Sequence, residues 1–236
     1  MPRHLELSSR LQRIADWVPQ GARLCDVGTD HAYLPVWLVL QGRVSSAIAA
    51  DLRPGPLNRA RETGRRCGVE EKVDFRLCDG LAGIAPAECD TIVIAGMGGE
   101  NIAGILSRAP WTAEGRHTLL LQPQSRGEVL RGFLAEHGYA ILREALVEDR
   151  GHLYPVMEVT AGEMTLSPGQ RLCGVKLLHD PLWNQYLIEK IIQLQSAAAG
   201  RSHAADPESR FQADQARDLA GELLAMREEW RHANGT

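Results

Sequence analysis

The sequence predicts an α/β fold, a doubly wound parallel sheet followed by a helical hairpin, and three observations predict it. Strand patterns and helical patterns alternate five times between about residues 8 and 158, which is typical of a sheet covered by helices on both faces. Two further strand patterns flank Asp149-Arg150-Gly151, a spacing that indicates a β-hairpin. After about residue 162 the strand patterns stop, and two helical patterns follow.

Each element follows from its residue pattern. Ser8 is a good N-cap for a helix that carries Leu11 and Ile14 on one face, and Gly21 ends that segment. The predicted strands are residues 22–27, 46–50, 73–77, 90–95 and 118–121, with hairpin strands at 139–147 and 152–159. The other predicted helices are residues 33–40, 56–67, 127–137 and one from the glycine-rich turn at 96–99 to about residue 108. We expect the hairpin to add an antiparallel strand at the edge of the sheet.

The C-terminal part has a different pattern. Residues 165–181 are mixed and are expected to be extended or loop, and a polar break with Gly200 and Pro207 separates two helices. The first helix, residues 182–199, carries an apolar stripe of Tyr186, Leu187, Ile191, Leu194 and Ala198. The second carries Ala216, Leu219, Leu223, Met226 and Trp230 at the alternating spacing of a coiled-coil seam. We therefore predict two domains, residues 1–162 and 163–236.

Composition excludes several classes of protein. The 236 residues are 44% hydrophobic and 24% charged, which excludes a disordered chain, a collagen-like chain and a rod. The five cysteines show no C-x-x-C spacing, so we expect reduced core thiols and no metal site. No apolar run is long enough to cross a bilayer, and residues 1–10 hold no apolar signal core. We expect a cytoplasmic protein, most simply a monomer.

Acidic residues follow the first three predicted strands. Asp26, Asp51 and Asp79 lie where the ligand of a doubly wound sheet binds, outside the carboxyl ends of the strands. A carboxylate after the second strand suits a ribose diol, and one after the third can accept from an adenine amino group. Each aspartate could instead cap the next helix or turn. Since Gly28 stands alone where a dinucleotide fingerprint needs three glycines, the ordered acids favour S-adenosylmethionine over NAD.

Three segments carry a resemblance to a known family. They are Asp26-Val-Gly-Thr-Asp-His-Ala-Tyr-Leu-Pro35, Ile94-Ala-Gly-Met-Gly-Gly99 and Leu121-Gln122-Pro123, and the opening Leu7-Ser-Ser-Arg-Leu-Gln12 adds a fourth. Over most of residues 5–160 the chain resembles the TrmK family, bacterial tRNA (adenine-22-N1)-methyltransferases, and its helical C-terminal region has that family's layout. The resemblance implies a class I, Rossmann-like methyltransferase domain with a seven-stranded mixed sheet, and a C-terminal coiled-coil domain.

The resemblance also implies S-adenosylmethionine as methyl donor and tRNA as acceptor. The implied cofactor-binding residues are Asp26, Gly28, Asp51, Leu52, Asp79, Gly80, Leu81, Ala95, Gly96 and Met97. One position departs from the family, which commonly has Asn after Gln-Pro where this chain has Gln124. The role of position 124 is therefore open.

The residues after the fourth strand favour methylation of a ring nitrogen. Enzymes that methylate an exocyclic amine usually carry an Asp/Asn-Pro-Pro-aromatic motif there, whereas this chain has Ala95 to Gly99. N1 of adenine has an in-plane lone pair and needs mainly alignment, exclusion of water and stabilisation of the cation that forms. Asp30 is the candidate carboxylate and Tyr33 the candidate aromatic ring, while His31 could act at the substrate or only orient the loop.

Candidate tRNA contacts are less distinctive. Gly98 and Gly99 could make room for a flipped base beside Gln122 and Pro123. Arg10 could contact a phosphate or pair with a loop aspartate. Arg65 and Arg66 belong to a basic patch that could bind phosphates or form a solvated face balanced by acids; the patch also holds Arg53, Arg59 and Arg61, and the acids are Glu62, Glu70 and Glu71.

Two other functions fit part of this pattern. One is a methyltransferase for a small metabolite or another RNA, in which the helical hairpin only dimerises. The other is a tRNA-binding protein without catalysis, which the intact loop from Asp26 to Pro35 argues against. Truncation of the helical hairpin distinguishes a small-molecule methyltransferase from a tRNA methyltransferase. It should abolish methylation of tRNA but spare methylation of a small molecule.

Overall fold

The computed structural model describes residues 5–201 and 206–235, and contains one seven-stranded sheet. The order across the sheet is β3-β2-β1-β4-β5-β7-β6, and neighbours pair in parallel from β3 through β5. The strands are β1 (Ala22–Val27), β2 (Val44–Asp51), β3 (Val73–Leu77), β4 (Thr91–Gly98), β5 (Thr118–Ser125), β6 (Tyr139–Asp149) and β7 (His152–Ala161). Residues 1–4, part of the segment searched for a signal core, lie outside the described residues, as do residues 202–205 of the expected polar break.

Helices cover both faces of the sheet, as the alternating pattern predicts. The helices are α1 (Ser9–Trp17), α2 (Tyr33–Leu40), α3 (Pro54–Arg66), α4 (Gly99–Ser107), α5 (Gly127–Glu136), α6 (Pro168–Cys173), α7 (Trp183–Arg201) and α8 (Pro207–Asn234). Ser8 caps α1 by accepting from the Leu11 amide. Successive residues of one strand enter opposite cores: Leu24 packs with α1, α2 and α3, whereas Cys25 packs with α4 and α5.

The hairpin differs from our expectation of an antiparallel edge strand. The reversed strand β7 lies between β5 and β6, so β6 forms the edge and runs in the same direction as β1–β5. The reason is the two-residue turn Arg150-Gly151, whose left-handed residues join Asp149 directly to His152 in register. As a result, the carboxyl end of β6 lies at the same edge of the sheet as the ends of β1, β4 and β5.

The C-terminal region forms a helical hairpin with its own apolar cluster. Arg227 near the end of α8 donates to Asn184 near the start of α7, which shows that the two helices run antiparallel. The cluster includes Leu187, Leu223 and Trp230, together with Leu146 from β6. Two details differ from the sequence prediction: α6 lies within the expected loop, started by a Ser167–Gln170 capping box, and Gly200 belongs to α7.

A buried ion pair joins this region to the sheet. The Arg131 and Glu144 side chains are fully buried, with Arg131 Nε 2.9 Å from Glu144 Oε1. Arg131 also donates to the backbone carbonyl of Arg171, and Glu144 accepts from the amides of Val175 and Lys176. This ion pair and its backbone hydrogen bonds fix the segment after α6 against α5 and β6.

Candidate active site

A cleft of about 270 Å³ opens at the carboxyl ends of β1, β4 and β5, next to the start of α1. It contains all three predicted catalytic residues and part of both predicted binding sets. The lining residues are Ser8, Arg10, Leu11, Asp26, Gly28, Thr29, Asp30, His31, Tyr33, Leu34, Ala95, Gly96, Gln122 and Gln124.

Gly28 allows the chain to turn at the end of β1. Its φ is +72°, and a Cβ at this position would lie 2.0 Å from Met97 Cε. The Gly28 and Thr29 amides both donate to the Ala50 carbonyl, which holds the turn against β2. The left-handed backbone therefore requires glycine, whereas a Cβ would meet only the flexible end of the Met97 side chain.

Asp26 is an almost fully buried carboxylate in this turn. It accepts a hydrogen bond of 2.6 Å from the Thr29 hydroxyl, and burial raises its pKa to about 6 although that hydrogen bond lowers it. A buried carboxylate with one neutral partner keeps acceptor capacity for a cationic ligand group.

Asp51 at the end of β2 holds the adjoining loop. Its Oδ2 accepts from the Asp30 amide at 3.1 Å, and its Oδ1 accepts from the Arg53 amide at 3.0 Å. Asp51 therefore caps the turn that follows β2, which is the alternative role that the sequence left open. Because each carboxylate oxygen can accept a second hydrogen bond, Asp51 can also bind a diol.

The three predicted catalytic residues lie together at the mouth of the cleft. Asp30, with φ +50°, pairs with Arg59 at 2.7 Å and lies 3.6 Å from His31 Nε2. The His31 and Tyr33 rings stack with centroids 5.2 Å apart and planes inclined by 11°. The cluster thus presents a carboxylate and two parallel rings, which is the chemistry that favours a cationic base.

The residues predicted for the adenosine end lie along the same edge but do not line this cleft. Leu52 is exposed, and Leu81 is buried in the core beside α4. Asp79 is exposed and pairs with Arg108 at 3.2 Å, while Gly80 packs against Ile105. Asp51 ends β2 and Asp79 follows the neighbouring strand β3, so both lie at the carboxyl edge of the sheet but outside the cleft.

Arg10 pairs with an aspartate, which is one of the two roles that the sequence left open for it. Its Nε lies 2.7 Å from Asp149 Oδ2, and its guanidinium lies 4.7 Å from the centre of the Tyr154 ring. Its Nη1 donates to Gln122 Oε1 at 3.2 Å, and the same oxygen accepts from the Gly96 amide. Arg10 thus connects α1 with the ends of β4, β5 and β6.

The cleft and the adjoining end of β2 offer groups that suit S-adenosylmethionine. Buried Asp26 suits an ammonium group, Asp51 suits a ribose diol, and the Gly28 turn keeps side-chain bulk away from the ligand. Within residues 5–201 and 206–235, no cluster of three or more His, Cys, Asp or Glu side chains could hold a metal ion.

Comparison with known proteins places the chain in a family. The sequence matches the family described as a methyltransferase domain over residues 7–157. It is 35% identical to the tRNA (adenine(22)-N(1))-methyltransferase of Bacillus subtilis, over 95% of this chain and 97% of that relative. The chain belongs to the TrmK family. This confirms the predicted family and class I methyltransferase fold.

Solved structures of the TrmK family have the same architecture. The crystal structure of the B. subtilis m1A22 tRNA methyltransferase TrmK is 33% identical, with a TM-score of 0.80 over 98% of this chain and 99% of that one. A Streptococcus pneumoniae structure in complex with S-adenosyl-L-methionine is 35% identical, with a TM-score of 0.81 over 93% of this chain and 100% of that one.

The remaining predicted tRNA contacts of this TrmK-family chain are dispersed. Arg65 forms two hydrogen bonds with Glu70, at 3.0 and 3.1 Å, whereas Arg66 is exposed. Pro123 is buried and paired with Met97 in the sheet. Gly98 faces the Ser125 hydroxyl, and Gly99 is buried against the backbone of Arg126. Only Gln122 from this set lines the cleft with Arg10.

Sequence reasoning assigned no site role to several residues that contribute to the site. Thr29 fixes Asp26, and Arg59, which the sequence placed in a basic patch that could bind phosphates or form a solvated face, pairs with Asp30. Gln124 lines the cleft, and Asp149 fixes Arg10. A signal existed for Asp149, since it follows a strand as the other acids do, but it required the correct direction of β6.

No described helix is long and apolar enough to cross a membrane.

Proposed function

We propose that this protein methylates N1 of adenosine 22 in tRNA, with S-adenosylmethionine as the methyl donor. The observation that carries the proposal is the cleft in which buried Asp26 and Gly28 meet the cluster of Asp30, His31 and Tyr33. The named relatives support the position of the target nucleotide. We further propose that the enzyme acts in the cytoplasm as a monomer.

The cofactor supplies an electrophilic methyl group on a cationic sulfonium centre. The protein's own residues must hold the target base in line, exclude water and stabilise the positive charge that spreads into the base. Tyr33 offers an exposed ring face for stacking, and Asp30 offers a carboxylate beside it. Because the N1 lone pair is free at neutral pH, none of these residues has to remove a proton before transfer.

The proposal is tested by incubating the protein with radiolabelled S-adenosylmethionine and unmodified tRNA transcripts, followed by nucleoside mapping. We expect one 1-methyladenosine at position 22, and no label in a transcript that carries guanosine there. Methylation at another position would contradict the target, and absence of tRNA methylation together with activity on a small molecule would contradict the substrate class.

A further inference from the structure

A second cleft, of about 300 Å³, lies between the methyltransferase domain and α7. The end of β5 and the start of β7 form one wall, and α7 forms the other. Gln124 lines both this cleft and the first one, so the two adjoin at the carboxyl edge of the sheet. A nucleotide extruded into the first cleft leaves its chain neighbours at this junction.

Three rings line the second cleft together with Lys190, namely those of exposed His152, half-buried Tyr154 and buried Tyr186. The His152 ring is exposed and meets the Tyr154 ring edge to face at 6.3 Å, while Arg10 lies against Tyr154. Lys190 on α7 lies with its ammonium 5.3 Å from the centre of the Tyr186 ring. An exposed ring such as His152 and an ammonium group such as Lys190, placed in one cleft, are groups that bind a base and a phosphate.

The other charged side chains of this cleft are already engaged. Arg126 pairs with Glu128 at 3.0 Å and with Glu100 at 3.2 Å. Glu189 accepts a hydrogen bond of 3.0 Å from Gln185. Lys190, in contrast, forms no ion pair with any described residue. Its charge is therefore available to an anion that enters the cleft.

We infer that the second cleft is a subsite for the nucleotide next to the target adenosine, with His152 stacking on its base and Lys190 contacting its phosphate. This inference rests on the proposed function and assigns the helical domain a direct contact with the substrate. Gln124, the position at which the chain departs from its family's pattern, then separates the target base from its neighbour.

The Lys190 contact is tested by tRNA binding to Lys190→Gln over a series of salt concentrations. We expect roughly fivefold to tenfold weaker binding at low salt, and a slope of log affinity against log salt that is smaller by about 0.7 to 0.9, the value for one lost phosphate contact. Lys72→Gln is the matched control, because Lys72 lies beside the amino ends of the strands. Its affinity and slope should equal those of the wild type.

The His152 contact is tested by coupling a protein change to an RNA change. We expect His152→Ala to weaken binding of intact tRNA about fivefold or more, as base stacking predicts. The same substitution should have little effect on a transcript that is abasic immediately 5′ or immediately 3′ of the target, because the stacking partner is already gone. His137→Ala is the control, since His137 lies at the C-terminal end of α5.

The outcomes separate this inference from the proposed function. Wild-type protein that neither binds nor methylates tRNA contradicts the function. Wild-type protein that methylates tRNA, combined with unchanged affinity and salt slope for Lys190→Gln, overturns the subsite. Equal effects of His152→Ala on intact and both abasic transcripts overturn the stacking contact. S-adenosylmethionine affinity, measured for every variant, should remain that of the wild type.

Discussion

Each end of strand β1 has a glycine with positive φ and a charged residue, but the two ends differ in what surrounds these residues. At the amino end, Gly21 has φ +79° and open space where a Cβ would lie, and the exposed Arg23 pairs with Asp90. At the carboxyl end, Gly28 has φ +72° but packs against Met97, and Asp26 is buried. A left-handed glycine thus precedes the strand at one edge and shapes a cleft at the other.

The carboxylates of the two edges differ in the same way. At the amino edge, Arg76 pairs with Asp74 and Glu88, and its hydrogen bond to Glu88 lowers the pKa of that carboxyl to about 2. At the carboxyl edge, burial raises the pKa of Asp26 to about 6. Arg76 thus neutralises Glu88, whereas buried Asp26 forms no ion pair with any described residue and can accept a cationic ligand group.

The largest effect is expected for Asp30→Asn. If the carboxylate stabilises the cationic base, turnover should fall by roughly two to three orders of magnitude while cofactor affinity barely changes. Asparagine tolerates the left-handed backbone at this position, so the loop should keep its shape. Single-turnover methylation at saturating tRNA and cofactor measures this step.

Asp74→Asn at the amino edge is the matched control, and it should leave the rate unchanged because its carboxylate only pairs with Arg76. A near-wild-type rate for Asp30→Asn would limit Asp30 to its ion pair with Arg59. Catalysis would then depend on alignment of the base alone.

Asp51→Ala should have the next largest effect. Loss of a buried, charge-assisted acceptor should weaken binding of S-adenosylmethionine by roughly 1.5–3 kcal/mol. The Asp30 and Arg53 amides also lose their partner, so the loop should loosen and the melting temperature should fall. Calorimetric titration of the folded variant measures the affinity, and an unchanged value would remove Asp51 from the cofactor site.

Local patterns predicted most of the fold, because strands such as Ala22–Val27 and Val73–Leu77 are short segments in which apolar residues recur and whose ends are clear. The position of β7 between β5 and β6 could not be predicted in this way, because strand order depends on pairing across the whole sheet. Asp26, Asp51 and Asp79 could be identified from the sequence because they stand at the ends of recognisable strand patterns. The partners of Arg10 and Asp30 could not, since Asp149 and Arg59 lie far from them along the chain.

Substitution of Gly21 and of Gly28 compares a glycine in an open turn with a glycine at the cleft. Gly28→Ala should weaken cofactor binding at least about tenfold, because the new methyl group must displace Met97 at the cleft. Gly21→Ala should leave cofactor affinity unchanged, since its surroundings are open. Both should lose about 1–2 kcal/mol of unfolding free energy from the left-handed backbone.

Chemical denaturation and calorimetric titration of the two variants measure these effects. Loss of cofactor affinity in both variants would show that general destabilisation, and not the cleft, accounts for the Gly28 effect. Equal and unchanged affinities would show that Met97 moves aside without disturbing the site.

The smallest effect is the pH dependence that Asp26 should impose, and it has opposite signs for binding and for stability. Its pKa of about 6 lies above the ordinary value of 3.8, so below pH 6 the carboxyl is largely neutral. A cationic ligand group favours the ionised form, so the affinity for S-adenosylmethionine should fall about tenfold between pH 7 and pH 5. The free protein should show the reverse, because a raised native pKa contributes stability below pH 3.8 that is lost as the pH rises through 6. Asp26→Asn should abolish both dependences while leaving those of other groups, and an affinity profile that stays as steep in this variant would assign the titration to a different residue.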